Sequence, residues 1–375
     1  MALVVVSPSN VVNFPDGGGH FWVYMQYAHG LRQLGCDVYW LERVESPSAD
    51  GRDYSRDFRE QMARFGFAAN VILYSENDGK LVYQGLSETQ AEAIFRTADL
   101  LLNFHYAIHP ALLSRFRRTA LVDIDPGLLQ FWISTGQLEV APHDVYFTIG
   151  ETVGTPSALF PDCGLKWIHI RPPVCLDLWP FINRHDAESF TTVSSWWGDE
   201  WITDGSTVYE NNKRVTFMNF ARLARLTDQP LELAICDGPG DVEDLRLLKE
   251  HGWRVRHSAE VAGTPEMYRA YIQGSRGEFS CAKPSCMKFQ NAWISDRTLC
   301  YMASGKPAVV QNTGPSAFLP DGDGLFRFST LEEAVASFET INTNYEKHCR
   351  AARGIVEACF EASPVIGSIL RSALQ

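Results

Sequence analysis

Ser295-Asp296-Arg297-Thr298-Leu299-Cys300-Tyr301-Met302-Ala303-Ser304-Gly305-Lys306-Pro307-Ala308-Val309-Val310 decides the fold. Ser295 reads as a helix cap, Leu299, Met302 and Ala303 as the buried face of that helix, and Gly305 as its stop. Pro307 to Gln311 then reads as a short buried strand. Near the other end, Pro15-Asp16-Gly17-Gly18-Gly19-His20 stands between the apolar run Leu3 to Val6 and a helical pattern from Phe21 to Leu34. Loops between a strand and a helix are where α/β domains bind phosphates and build active sites. Two such units in a chain of 375 residues imply two domains with a cleft between them.

Outward from these stretches, strand and helix alternate. In the first half the strands read as Leu3 to Val6, Asp37 to Leu41, Ala98 to Leu102, Thr119 to Ile124 and Val145 to Ile149. Asp57 to Phe65 and Glu88 to Arg96 read as helices between them. The segment Pro172-Pro173-Val174-Cys175-Leu176-Asp177-Leu178-Trp179-Pro180 fits neither a helix nor a central strand and reads as a linker. The second half restarts with strands at Thr191 to Ser194, Leu231 to Ile235, Trp253 to His257 and Gly277 to Cys281. Helices are expected at Arg214 to Leu226, Asp241 to His251 and Pro265 to Gly274, and the tail from Leu331 is mostly helical. Alternation of this kind predicts parallel sheets wrapped by helices. The domains are drawn as an N-terminal domain over 1–172, a linker over 173–190 and a second domain over 191–350. A C-terminal helix over 351–375 is placed to pack back on the first domain.

Composition narrows the class. With 45% hydrophobic and 21% charged residues the chain reads as globular. A formal net charge of −12 argues against nucleic acid and anionic membrane as partners, since both call for a basic face. Met1-Ala2-Leu3-Val4-Val5-Val6 lacks a basic n-region and reads as a first buried strand; no apolar run is long enough to span a bilayer. The nine cysteines show no zinc spacing and read as reduced thiols, so a cytoplasmic location is expected.

The candidate chemistry lies at strand ends. Gly17, Gly18 and Gly19 let the backbone approach a ligand, and His20 at the loop-to-helix junction can take a proton from a hydroxyl; a plain turn with His20 at the helix head is the alternative. From Gly19-His20 the chain runs to Ala28, Leu31, Gly35 and Val38. This resembles the opening of sugar-nucleotide glycosyltransferases of the two-Rossmann-domain (GT-B) architecture. In the inverting members the histidine after that glycine is the catalytic base, and the resemblance carries that role to His20. Asn103-Phe104-His105-Tyr106 follows another strand, and His105 resembles the sugar-contacting histidine of the retaining members. Asp123-Ile124-Asp125-Pro126-Gly127 places Asp125 where it can orient His20 or bind acceptor hydroxyls; a Pro-Gly turn satisfied by its aspartates is the plainer reading.

The second half carries the fuller resemblance. The helix ending Met302-Ala303-Ser304-Gly305-Lys306-Pro307-Ala308-Val309-Val310 looks like the nucleotide-sugar half of GT-B enzymes. So does Gly322-Asp323-Gly324-Leu325-Phe326 followed by Leu331-Glu332-Glu333-Ala334. The resemblance implies a diphosphate held by Lys283, Arg297, Lys213 and the free N–H groups of the helix capped by Ser295. Asp296 would accept from sugar or ribose hydroxyls, Thr313 and Gly314 would touch the sugar, and Gly18 and Gly19 would meet the donor from the other side. The six residues Trp196-Trp197-Gly198-Asp199-Glu200-Trp201 offer rings for stacking or for packing. The pattern departs from the retaining members, whose paired glutamates would fall at Ala292 and Cys300.

The expected architecture is therefore α/β, two facing Rossmann-like domains of the GT-B type with a C-terminal helical tail. The expected activity is glycosyl transfer from a nucleotide-diphosphate sugar to a small-molecule or glycan acceptor, with no metal and no cofactor beyond that co-substrate. A sugar-nucleotide epimerase or hydrolase, and a non-catalytic nucleotide-sugar-binding subunit, stay open.

Overall fold

The computed structural model describes residues 1–45, 53–77, 80–197 and 201–375. The chain divides into two units. One comprises Met1–Gly154, Pro161–Cys175 and Ala362–Gln375; the other comprises Thr155–Phe160 and Leu176–Glu361.

In the first unit the strands are β1 (Leu3–Ser7), β2 (Asp37–Arg43), β3 (Val71–Asn77), β4 (Lys80–Gln84), β5 (Leu100–Asn103), β6 (Thr119–Asp123), β7 (Val145–Thr148) and β8 (Trp167–His169). Among the described residues they form one sheet in the order β4-β3-β2-β1-β5-β6-β7-β8. Every pairing is parallel except β3 with β4. The central strands are apolar through and through because both faces are covered; Val4–Val6 and Leu100–Leu102 have no exposed surface. The connecting helices are α1 (Gly18–Gln33), α2 (Tyr54–Arg64), α3 (Glu88–Thr97), α4 (Pro110–Leu113) and α5 (Leu128–Ser134). Direction reverses between β1 and β5, so the chain leaves these adjacent strands on opposite sides. That opens a crevice at their C-terminal ends. The last helix of the chain, Ala362–Leu374, packs on α1 in this unit. It can approach closely because Gly30 lacks a side chain: a Cβ there would stand 3.1 Å from Ile366 and 3.2 Å from Ala362.

In the second unit the strands are β9 (Phe190–Ser195), β10 (Trp201–Asp204), β11 (Thr207–Glu210), β12 (Leu231–Cys236), β13 (Arg254–His257), β14 (Gly277–Ser280), β15 (Ala308–Gln311) and β16 (Leu325–Phe328). Six of them form a parallel sheet in the order β13-β12-β9-β14-β15-β16, and β10 and β11 form a separate hairpin. The helices are α6 (Lys213–Asn219), α7 (Val242–Glu250), α8 (Ser258–Ala262), α9 (Pro265–Gly274), α10 (Pro284–Phe289), α11 (Asp296–Ala303), α12 (Leu331–Thr343) and α13 (Tyr345–Cys359); the terminal helix in the first unit is α14. Phe190, Phe217, Trp253, Phe279, Phe328 and Phe338 build the core, with Phe279 stacked on Phe328 at 5.2 Å. The Leu-Glu-Glu-Ala segment starts α12 through a reciprocal cap between Thr330 and Glu333.

The helix expected over Arg214 to Leu226 is shorter. α6 ends at Asn219, and a tighter 3-10 turn, Ala221–Arg225, follows. The β10–β11 hairpin was not anticipated, although Asp204-Gly205 at its turn is a hairpin signal and Gly205 has φ +62°. All nine cysteines are free. Among the described residues no helix is long and apolar enough to cross a membrane.

Candidate functional site

In the second unit the direction of the sheet reverses between β9 and β14. These strands pair with each other only through Phe190–Gly277 and Thr191–Glu278, and beyond that point each keeps only its outer neighbour. The guanidinium of Arg297, on the first turn of α11, lies in the opening. Its Nε donates to Glu278 at 2.7 Å, one terminal nitrogen donates to the Val193 carbonyl at 2.9 Å, and the other to the Ser280 hydroxyl. The ion pair is buried, with Arg297 6% and Glu278 0% exposed. Arg297 was expected to face a diphosphate. It turns inward instead, because the buried Glu278 carboxylate demands a cation.

Three further charged groups gather around that guanidinium. Lys213 heads α6, Lys283 caps α10 and Asp296 opens α11. Burial, then the charges of Arg297 and Lys283, push the Lys213 ammonium down to about 7, with Asp296 pulling the other way. The Lys213 Nζ stands 5.8 Å from the centre of the Trp293 ring. Ser295 caps α11, its hydroxyl accepting from the Arg297 amide at 3.3 Å. The amides of that first turn and the helix dipole add positive potential to the cluster.

The loop that delivers α11 is held in unusual backbone conformations. Gln290 and Ala292 have φ +48° and +57°. Thr313 braces this loop: its hydroxyl donates to the Trp293 carbonyl at 2.6 Å and its carbonyl accepts from Ala292 at 3.0 Å. Gly314 has φ +122°, and a Cβ there would meet the Gln290 carbonyl at 2.8 Å. Thr313 and Gly314, expected to touch sugar, are thus engaged in shaping the loop. Strain of this kind persists where the surroundings enforce it.

The aromatic stretch divides. Trp196 is wholly buried, while Trp197 is 47% exposed, donates to Asp241 at 2.5 Å and lies 4.7 Å from the Arg214 guanidinium. Arg214 is itself paired with Asp244 at 3.0 Å. Gly198, Asp199 and Glu200 lie outside the described residues.

In the first unit, polar groups collect at the ends of β2, β1, β5, β6 and β7. His20, the third residue of α1, donates from Nε2 to the Ser9 carbonyl at 2.7 Å, so any proton acceptance falls to Nδ1. Its ring meets Tyr24 edge-on at 5.2 Å. Gly18 and Gly19 are the first residues of α1, and the preceding Gly17 leaves room for the Phe14 ring, which a Cβ would meet at 2.1 Å. Asn103 pins the backbone of His105 on both sides, at 3.0 and 3.1 Å, and donates to His143 at 3.0 Å. Burial first, then Arg43, holds the His105 imidazole below its ordinary range.

Sequence reasoning missed one carboxyl group here, Glu42, and named Asp123 only within its strand-end turn, giving the site role to Asp125. Asp123 at the end of β6 accepts from Gln130 and Thr148, each at 2.8 Å, and from the Asp125 amide at 3.0 Å. Burial raises it to about 7. Glu42 at the end of β2 accepts from Trp40 at 2.8 Å and from the amides of Val11 and Val12, and burial raises it to about 7 as well. Glu42 thereby anchors the loop that leads to His20. The Tyr106 hydroxyl accepts from the amides of Ile124 and Asp125 at 3.0 and 3.2 Å and stands 3.5 Å from both Asp123 and Asp125. The polar residues at strand ends were visible; most of their partners, which come from α5, β7 and the loops after β1 and β6, were not.

No family model and no curated protein matches this sequence. Solved structures do match. An alpha-glucosyltransferase in complex with UDP and a 13-mer DNA containing a central A:G mismatch matches over 100% of both chains, with TM-score 0.63 and 10% identity. The pneumococcal O-GlcNAc transferase GtfA in complex with UDP and GlcNAc matches over 99% of this chain and 98% of its own, with TM-score 0.60 and 9% identity. Anabaena HepE in complex with UDP and glucose matches over 99% of both, with TM-score 0.58 and 8% identity. The DNA-bound structures overturn the expectation that nucleic acid is excluded. Net charge was the wrong criterion, because a local surface can bind DNA on an acidic chain. From end to end, the chain has the GT-B glycosyltransferase fold.

Proposed function

We propose that this chain transfers a sugar from a nucleotide-diphosphate sugar to an acceptor nucleophile. The observation that carries the reading is the convergence of Lys213, Lys283 and the N-terminal turn of α11 at the direction reversal of the second sheet. Partly desolvated cations beside a helix N-terminus suit a diphosphate. The fold is one on which solved neighbours hold UDP.

In this reading the diphosphate lies over the first turn of α11, with Lys213 and Lys283 on its oxygens. The bond from the anomeric carbon to the diphosphate oxygen breaks, and the acceptor oxygen bonds to that carbon. The acceptor proton goes to His20 Nδ1. The electron pair leaves with the diphosphate, whose growing charge the two lysines and the helix amides stabilise. Asp125 binds or orients an acceptor hydroxyl, and Asp296 meets sugar or ribose hydroxyls.

A thermal-shift panel of nucleoside diphosphates and their sugars tests the donor half, because a ligand of the folded state raises its melting temperature. Incubation of the stabilising donor with alcohols, glycans and DNA duplexes, followed by product analysis, tests the transfer. Stabilisation by a nucleotide sugar with a glycosylated product supports the reading. Release of free sugar alone would point to a hydrolase, and no stabilisation by any member would defeat the donor site.

A further inference from the structure

We propose that Arg297 is a positioning residue of the diphosphate crevice: it bridges the ends of β9 and β14 that do not pair with each other and fixes the first turn of α11 without touching the ligand. The inference rests on the diphosphate reading of this site. Each guanidinium nitrogen is engaged from a different direction. Nε faces Glu278 on β14 at 2.7 Å, and the terminal nitrogens face Val193 on β9 at 2.9 Å and Ser280 on β14. The residue is 5% exposed, so a ligand above the sheet reaches little of it.

The geometry explains what the bridge accomplishes. Pairing between β9 and β14 stops at Thr191 and Glu278. Past that point the Val193 carbonyl has no β14 amide to accept from in the ladder, and Arg297 supplies the donor. The same side chain hangs from the first turn of α11, beside Asp296 and just after the Ser295 cap. Shortening or loosening it frees the helix head and the two strand ends together. Glu278 holds the arrangement from below; its Oε2 has no hydrogen-bond partner, so the carboxylate depends on Arg297 for compensation.

A positioning cation also acts at a distance. Lys213 senses Arg297 more strongly than any other charge; Lys283 and Cys286 from α10 and Asp296 from α11 are the other groups acting on it. Trp293 covers the ammonium from the loop before α11, and Lys288 of α10 is turned to the Tyr209 ring. The positive charge beneath Lys213 helps keep it a neutral amine above about pH 7, so an arriving diphosphate draws a proton to it.

The test is the pH dependence of UDP-glucose affinity, measured by calorimetry on the wild type, Arg297→Lys and the paired change Arg297→Met with Glu278→Met. UDP-glucose is the probe because its diphosphate diester does not titrate near neutrality. Arg297→Lys retains the charge and loses the fork, so affinity should fall about 10-fold at every pH while the alkaline fall stays in place. In the paired variant, apolar replacement of the buried pair keeps the fold. Affinity should again fall, and its alkaline limb should move to higher pH because Lys213 loses a repelling neighbour. A direct-contact role predicts instead a salt dependence of binding lower by one charge in the paired variant, and that result overturns the proposal. Wild-type affinity in both variants overturns it too. If the wild type itself does not bind UDP-glucose while both variants fold, the diphosphate reading fails, and with it the role given to Arg297.

Discussion

The two large sheets of this chain end in opposite chemistries. Both reverse direction at a central strand pair, and both collect buried ionisable groups at their C-terminal edges. In the first unit these are acids, Glu42 and Asp123, each raised by burial to about 7. In the second the titrating group is a base, Lys213, lowered by burial and by neighbouring cations to about 7. Architecture supplies the position, while the residue types at the strand ends choose the sign. An edge with half-protonated carboxyls and histidines suits a neutral, hydroxyl-bearing ligand. An edge with desolvated amines suits an anion.

The largest effect should come from the first unit. His20→Ala should lower turnover about 10²–10⁴-fold, the usual worth of a general base, while UDP-glucose affinity barely changes. Near-normal turnover would remove His20 from the chemistry and leave His105 as the histidine to examine. Next, Lys213→Met should weaken UDP-glucose binding about 10- to 100-fold, as expected for a lost hydrogen bond to a charged group, and leave first-unit variants unaffected. Equal affinity in calorimetry would mean that the second edge is not the anionic one.

A third way to break the comparison is pH. For Glu42 and Asp123 the folded protein holds a proton that the unfolded chain has already released between about pH 4 and 7, so stability from these groups falls as pH rises through that window. For Lys213 the unfolded chain holds a proton that the folded protein has released between about pH 7 and 10.5, so stability rises through that window. A tenfold difference in proton affinity between the folded and unfolded chain is worth about 1.4 kcal/mol. Hydrogen exchange followed separately in the two sheets should therefore show opposite trends on the two sides of neutrality. Asp123→Asn should flatten the acid-side fall in the first sheet only; a parallel change in both would contradict the assignment.

The smallest effect concerns packing alone. Gly30→Ala should destabilise the docking of α14 on α1 by about 1–3 kcal/mol, the ordinary cost of overpacking, without altering UDP-glucose affinity. Exchange protection confined to α14 and α1 is the measurement.

What was legible in the sequence was local. The Ser295 cap and the Gly305 stop act within one turn of a helix, and the structure has them where the residues imply. What was not legible depends on distant partners. Arg297 read as a ligand-facing cation because its buried counter-ion, Glu278, sits 19 residues away on another element, the short strand β14. Glu42 drew no notice, since the amides it binds belong to a loop 30 and 31 residues earlier. Trp196 and Trp197 read as a pair, and only packing separates the buried ring from the exposed one.

A crystal structure of the protein soaked with UDP addresses the central claim most directly. The diphosphate is predicted over the first turn of α11, within hydrogen-bond distance of Lys213 and Lys283, with Arg297 still turned to Glu278. A diphosphate bound at the strand ends of the first unit, or none bound at saturating UDP, would contradict the account.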